Sequence, residues 1–292
     1  MTQAPARTVR IDWRGRQVDL EFAWIGGDGA GDAPSHGPGE DSGRDDKRDD
    51  APLIVFLHEG LGSVAMWKDF PARLVDALGA RGLVYSRPGY GASTPRAPDE
   101  RWQPDFMHRQ ALEVLPDLLT ALGVTRAPWL FGHSDGASIA LLAAAHRPFE
   151  VAGTIALAPH ILVEDKSVTS INAARDAYRT TALRSKLARY HADVDSAFWG
   201  WCDIWLDPRF RQWTIADEIV TIRCPLLAIQ GLDDQYGTLE QIAGIARRVP
   251  HTRLLEYPGC GHSPHIDRPE AVIAATRNFL ADSTPPANWR PT

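Results

Sequence analysis

Four short stretches hold the side chains that could do chemistry. The first is Gly132-His133-Ser134-Asp135-Gly136, a Gly-x-Ser-x-Gly pattern. It follows the apolar Trp129-Leu130-Phe131 and precedes a small-residue run over residues 137–145. That context predicts a strand, a sharp turn and a helix, with the serine hydroxyl held out at the turn. Glycines two before and two after the serine suit the close approach of strand and helix. By average composition, about one chain in ten of this length would carry the pattern by chance, so its weight depends on the other three stretches.

A serine hydroxyl is a weak nucleophile near neutral pH. It needs a general base, and the base needs an orienting carboxylate. Gln230-Gly231-Leu232-Asp233-Asp234 follows an apolar run and offers two carboxylates. Gly259-Cys260-Gly261-His262 follows another and offers an imidazole, with His265 three residues on. A glycine-rich turn, His58-Glu59-Gly60-Leu61-Gly62-Ser63, follows the apolar Leu53-Ile54-Val55-Phe56-Leu57. In open α/β sheets, reactive groups sit on loops at the carboxyl ends of strands, and all four stretches read as such loops.

The elements that must position them alternate along the chain. Residues 8–25 read as a hairpin around Trp13-Arg14-Gly15-Arg16. Residues 53–57, 83–86, 129–131, 151–157, 225–230 and 253–257 read as strands, the continuous apolar runs among them as strands buried on both faces. Helical spacing appears over 67–78, 105–122, 239–249 and 269–280. Strands alternating with helices predict a parallel sheet. From His160 to Trp213 the rhythm changes to helical segments rich in Arg, Asp and Trp. Four of the ten tryptophans fall between Trp199 and Trp213.

The chain has 292 residues, 44% hydrophobic and 23% charged, enough for one large core or a core with a small second unit. Of the net charge of −6, residues 26–50 supply −5, and they hold seven glycines and no large apolar residue, so that stretch predicts a surface loop. The near-neutral remainder argues against nucleic acid or an anionic membrane as partner. Cys202, Cys224 and Cys260 show neither metal spacing nor a disulfide framework. No secretory leader or run of about 20 apolar residues is visible, so a cytoplasmic location is expected.

Taken together, His58 to Ser63, Arg87-Pro88-Gly89-Tyr90-Gly91, Gly132 to Gly136, Gly231 to Asp234 and Gly261-His262 resemble the α/β-hydrolase family over nearly the whole chain. The resemblance implies an α/β-hydrolase fold: a mostly parallel central sheet flanked by helices, with a helical cap inserted after the sixth strand. The core would be 1–158 and 214–292, the cap 159–213. It implies a triad of Ser134, Asp234 and His262. The family places the acid three residues after the strand-end glycine, which selects Asp234 over Asp233. The Gly-x-Gly-His context selects His262 over His265, and His133 is expected to be packed or hydrogen-bonded.

The oxyanion hole would use the backbone N–H of Asp135, at a helix start, and by resemblance that of Gly60, with Leu61 the alternative. Where the family often has His-Gly, this chain has His58-Glu59, and Glu59 is expected to pair with Arg87 below the pocket. Candidate pocket residues are Met66, Trp67, His160, Trp199, Trp205 and Tyr236, with Trp201 and Trp213 beside them. A serine at the elbow, where relatives use aspartate or cysteine for other reactions, implies acyl transfer to water on a small ester, lactone or related acyl compound, with no cofactor and no metal. The alternatives are C–C bond or enol-lactone hydrolysis, or a ligand-binding protein without turnover.

Overall fold

The structure, a computed structural model, describes residues 6–26 and 51–283; most of the acidic stretch expected as a surface loop lies outside them. The chain opens with β1 (Arg7–Trp13) and β2 (Arg16–Ile25), an antiparallel hairpin. Then follow β3 (Leu53–Leu57), a short turn of helix over Val64–Trp67, α1 (Phe70–Leu78) and β4 (Arg81–Tyr85). Next come α2 (Phe106–Arg109), a wide helical turn over Gln110–Val114, and α3 (Leu115–Ala121). The sequence predicts one helix across this stretch. The stretch is helical throughout, and its wide turn comes just before Pro116, which lacks the N–H that would bond the carbonyl four residues back.

The chain continues through β5 (Trp129–His133), α4 (Asp135–His146) and β6 (Gly153–Leu157). Three helices follow: α5 (Asp165–Thr180), α6 (Leu183–Leu187) and α7 (Val194–Trp205). The alternation then resumes with β7 (Leu226–Gly231), α8 (Glu240–Arg248), β8 (Arg253–Tyr257), α9 (Pro264–Asp267) and α10 (Pro269–Ser283). No described helix is long and apolar enough to cross a membrane.

The eight strands form one sheet in the order β1-β2-β4-β3-β5-β6-β7-β8, parallel from β4 through β8. The apolar runs are buried on both faces because each strand feeds two cores. In β3, Val55 and Leu57 face the core that holds α3, α4 and the helices after β6. Ile54 and Phe56 face the core built from α1 and α10, with Trp67, Phe70, Val272 and Phe279. The order of strands also brings loops together. From β3 the chain steps outward to β4, then returns to place β5 on the other side of β3. The carboxyl ends of β3 and β5 therefore diverge, and such a switch point leaves a crevice where ligands bind. Residues 58–62 and Ser134 flank it.

The helices between β6 and β7 leave and rejoin the sheet through a narrow neck. Leu162 and Thr214 form an antiparallel bridge, and the Ile215 N–H donates to the Ile161 carbonyl at 2.9 Å. Helix α7 is the most apolar of the three. Asp193 caps it, accepting from the Ser196 N–H at 2.8 Å. Phe198, Trp201, Cys202 and Trp205, all buried, lie on one stripe of it, as three- and four-residue spacing requires.

Candidate active site

The elbow forms because two close approaches leave no room for side chains. A Cβ on Gly132 would stand 2.6 Å from the Ala137 nitrogen, and one on Gly136 would stand 2.6 Å from the His58 carbonyl oxygen. Strand and helix can then join through one residue, and Ser134 takes a φ of 53° and ψ of −119°. A non-glycine residue there costs of order 1–3 kcal/mol, held by its surroundings. The return is an orientation: the hydroxyl leads the helix at the carboxyl end of β5.

Three groups from three loops meet there. His262 Nε2 lies 2.9 Å from Ser134 Oγ, and His262 Nδ1 lies 2.9 and 3.0 Å from the two carboxylate oxygens of Asp234. A carboxylate only accepts, so Nδ1 carries the proton and Nε2 turns its lone pair to the serine. Asp234 is buried, which works to raise its pKa. The hydrogen bond and charge of His262, with the N–H groups of Tyr236 and Gly237, outweigh that and take it down to about 2. Burial lowers the pKa of His262, and Asp234 opposes the shift. Asp233 is exposed and takes no part; its N–H donates to the Cys260 carbonyl at 2.9 Å.

The neighbouring histidines have other work. His133 points away from the serine, and its Nε2–H donates to the backbone carbonyl of His262 at 2.7 Å. His265 is buried among Trp67, Phe70 and His133. His160 stands 5.7 Å from the His262 ring and 4.9 Å from that of Trp205; burial first, then the nearby His262, pushes its pKa down to about 3, so it is neutral. Cys260 is buried, and burial raises its thiol to about 11, which leaves little thiolate near neutral pH.

The loop after β3 is pinned from below. The Glu59 carbonyl accepts from Arg87 Nη2 at 2.8 Å, from the Gly62 N–H at 3.0 Å and from His58 Nδ1 at 2.7 Å. The expected pairing of the Glu59 and Arg87 side chains is not what forms. The Glu59 carboxylate faces His133 Nδ1 at 3.5 Å, while Arg87 turns its Nη1 to Asp135 Oδ2 at 3.8 Å. Arg87 is fully buried under the loop, where the Glu59 carbonyl and His58 Nε2, which accepts from its Nε at 3.4 Å, are its hydrogen-bond acceptors, and the first carboxylate of α4 is the charge it faces. Asp135 itself is buried, and desolvation raises its pKa to about 6 against the pull of Arg87. Its N–H begins α4, so it has no partner within the helix.

Of the residues expected around the pocket, His160, Trp205 and Tyr236 stand at the site. The Tyr236 ring is 4.8 Å from that of His262, and Trp205 Nε1 donates to Asp135 Oδ1 at 3.2 Å. Met66 is half-buried on the side of the sheet that carries α4 and α7. Two residues lie elsewhere. Trp67 is in the opposite core, its ring 5.6 Å from Phe56 and 6.1 Å from Phe131. Trp199 is on the far side of α7, packed on Tyr178 with the Arg179 guanidinium 5.1 Å over its ring. The reason is periodicity: two residues along a helix are about 200° apart, so Trp199 faces away when Trp201 and Trp205 face in.

The sequence drew no attention to His191. It accepts from the Gly91 N–H through Nδ1 at 3.0 Å and donates from Nε2 to the Leu61 carbonyl at 2.9 Å, tying the helices after β6 to the loop of Gly60. It lies in no motif, so only the fold could bring it there.

The sequence and the fold have counterparts. A family model described as "Alpha/beta hydrolase family" matches residues 54–275. The chain belongs to the alpha/beta hydrolase family. It is 28% identical over 201 residues to the human serine hydrolase BPHL, 66% of each chain. It is 36% identical over 70 residues to a putative carbamate hydrolase RutD of a Caulobacter strain, 24% of this chain and 26% of that one. The chain therefore spans about a quarter of that relative's length and just under two thirds of the human protein's. Among solved structures, a thermophilic esterase from Thermogutta terrifontis superposes with a TM-score of 0.68 at 19% identity, covering 96% of this chain and all of that one. An enol-lactonase from Burkholderia xenovorans LB400 gives 0.66 at 17% identity, covering 95% and 100%. At those identities the likeness is one of fold. The protein is an alpha/beta hydrolase, with an eight-stranded, mostly parallel sheet flanked by helices.

Proposed function

We propose that the protein is a serine hydrolase acting on a small carboxylic ester, lactone or related acyl compound, with Ser134 as nucleophile, His262 as general base and Asp234 as its orienting acid. The observation that carries this is the unbroken line of hydrogen bonds from Ser134 Oγ through His262 to Asp234, at 2.9 Å at each step.

The line gives each group a role. His262 Nε2 takes the Ser134 proton as Oγ attacks the acyl carbon. Asp234 stabilises the imidazolium that forms. The developing oxyanion meets the N–H of Asp135, reinforced by the start of α4, and that of Gly60. His262 then gives its proton to the leaving group, and a water activated by His262 releases the acyl group from Ser134. No cofactor enters these steps. The helices after β6 act as a cap whose inner face, with Trp205, His160 and Tyr236, shapes the space for a small-molecule substrate. The names of the relatives support the class rather than the compound: a carbamate, an ester and an enol-lactone all present an acyl carbon to a nucleophile.

A fluorophosphonate should label wild-type protein at Ser134 and not Ser134→Ala or His262→Ala, and short-chain p-nitrophenyl esters should turn over only in the wild type. Full turnover by both folded variants would overturn the proposal.

A further inference from the structure

Helix α7 carries Trp201 and Trp205 four residues apart, so their side chains lie one above the other on one face. Each reaches a different side of the crevice. The five-membered ring of Trp201 covers the α-carbon of Gly60: a Cβ there would collide with its Nε1 and Cδ1. The indole N–H of Trp205 donates to Asp135 Oδ1 at 3.2 Å. Gly60 and Asp135 are the two residues whose backbone N–H groups are assigned to the oxyanion.

We propose that Trp201 and Trp205 are positioning residues that set the oxyanion hole from the inserted helix, Trp201 by seating Gly60 and Trp205 by anchoring Asp135. This rests on the serine hydrolase assignment above. It gives α7 a part in the chemical step, beyond walling a pocket.

The physical need differs on the two sides. Asp135 must offer its N–H to a growing negative charge while bearing a carboxylate of its own. Like charges a few ångströms apart repel strongly in a buried site, so that carboxylate has to be held aside and balanced. Trp205 holds Oδ1. Oδ2 has no hydrogen-bond donor among the described residues and faces the Arg87 guanidinium at 3.8 Å. Gly60 has the opposite problem. It has no side chain to fix its peptide plane, and glycine explores more backbone conformations than any other residue. Arg87 and His58 pin the residue before it through the Glu59 carbonyl, and His191 pins the residue after it through the Leu61 carbonyl. Trp201 closes the remaining face. An oxyanion donor is useful only when it needs no reorganisation at the moment of reaction.

The test uses full-length protein, a fluorophosphonate and a short-chain p-nitrophenyl ester. The tetrahedral phosphonyl adduct on Ser134 places an oxygen where the oxyanion would form, so its rate of formation reads the hole directly. Trp205→Phe keeps a ring against His160 and Phe210 and removes the N–H. It should lower kcat and the labelling rate about tenfold with KM within about twofold, the pattern of an interaction made in the transition state. Gly60→Ala should cost about a hundredfold, comparable to loss of one oxyanion donor.

Trp201→Ala should cost about tenfold in the wild-type background and nothing further in the Gly60→Ala background, because it clears the space the new methyl needs. Should Trp201→Ala fail to fold by circular dichroism, Trp201→Val, which also lacks the colliding ring atoms, supplies the same cycle. Unchanged kcat in Trp205→Phe, or multiplying losses for Gly60→Ala and Trp201→Ala, would overturn the corresponding half. A wild-type protein that neither labels nor hydrolyses esters would instead remove the serine hydrolase assignment, and this inference with it.

Discussion

The elbow and the inserted helices approach the same crevice from opposite sides, and they are built by opposite rules. At the elbow, residues 132–136 are consecutive, and backbone sterics alone dictate the glycines at either end. A methyl group at Gly132 or Gly136 would meet main-chain atoms of α4 or β3. On the insert, Trp201, Trp205 and His191 are held by contacts to residues 70 to 141 positions away in the chain. No local rule demands them. What the difference teaches is that the reactive atoms are specified by short-range geometry, whereas the environment that tunes them is specified by packing.

Breaking the elbow should have the largest effect. Ser134→Ala should reduce kcat by roughly 10⁶-fold, the scale of removing a serine nucleophile from such a triad, with circular dichroism confirming the fold. Asp234→Asn should follow, at roughly 10⁴-fold, because an amide presents an N–H to Nδ1 and favours the wrong imidazole tautomer.

A pH profile sharpens the comparison further. As the proposed base, His262 must be neutral, and burial holds its pKa below the ordinary imidazole value. The acid limb of kcat/KM should therefore fall below about 6.5, with activity lost as pH drops through it and a plateau above. Asp234 adds a separate stability term. Its folded pKa, about 2, lies below that of an unfolded aspartate, so its contribution is full above about pH 4 and is lost as pH falls toward the folded value. The unfolding midpoint should decline over that lower window, after activity is already gone.

The smallest effects on catalysis should come from the two tryptophans that stand apart from the crevice. Trp67 is 3% exposed in the core under β3. Trp67→Ala should cost about 3–5 kcal/mol of stability, read from urea unfolding. Trp199→Ala, on the outer face of α7, should cost about 1 kcal/mol or less and leave KM within about twofold.

Much of this protein was legible in its chain. The apolar runs of β3, β5, β6 and β7 are continuous because those strands are covered on both faces. Ser134 and Asp234 follow such strands, and His262 follows the more exposed β8, so the loops that bear them were visible as turn chemistry after a strand. The hairpin of β1 and β2 and the helical stretch before β7 were visible by the same periodicities. Other features were not. Trp67 and Met66 are neighbours in sequence that fall on opposite sides of the sheet, and Trp199 and Trp201 on opposite sides of one helix. Composition marks all of them as pocket candidates alike. Glu59 turns to His133 and Arg87 to Asp135 because of where β3, β4 and α4 come to lie.

By itself, then, the sequence determined the fold class, the order of elements and the turns that carry Ser134, Asp234 and His262, since local sterics and hydrophobic period act over a few residues. Only the tertiary structure decided which tryptophans face the crevice, which partner Arg87 takes, and that α7 touches both Gly60 and Asp135. Those contacts join distant segments, and a distance between segments is a property of the packed chain alone.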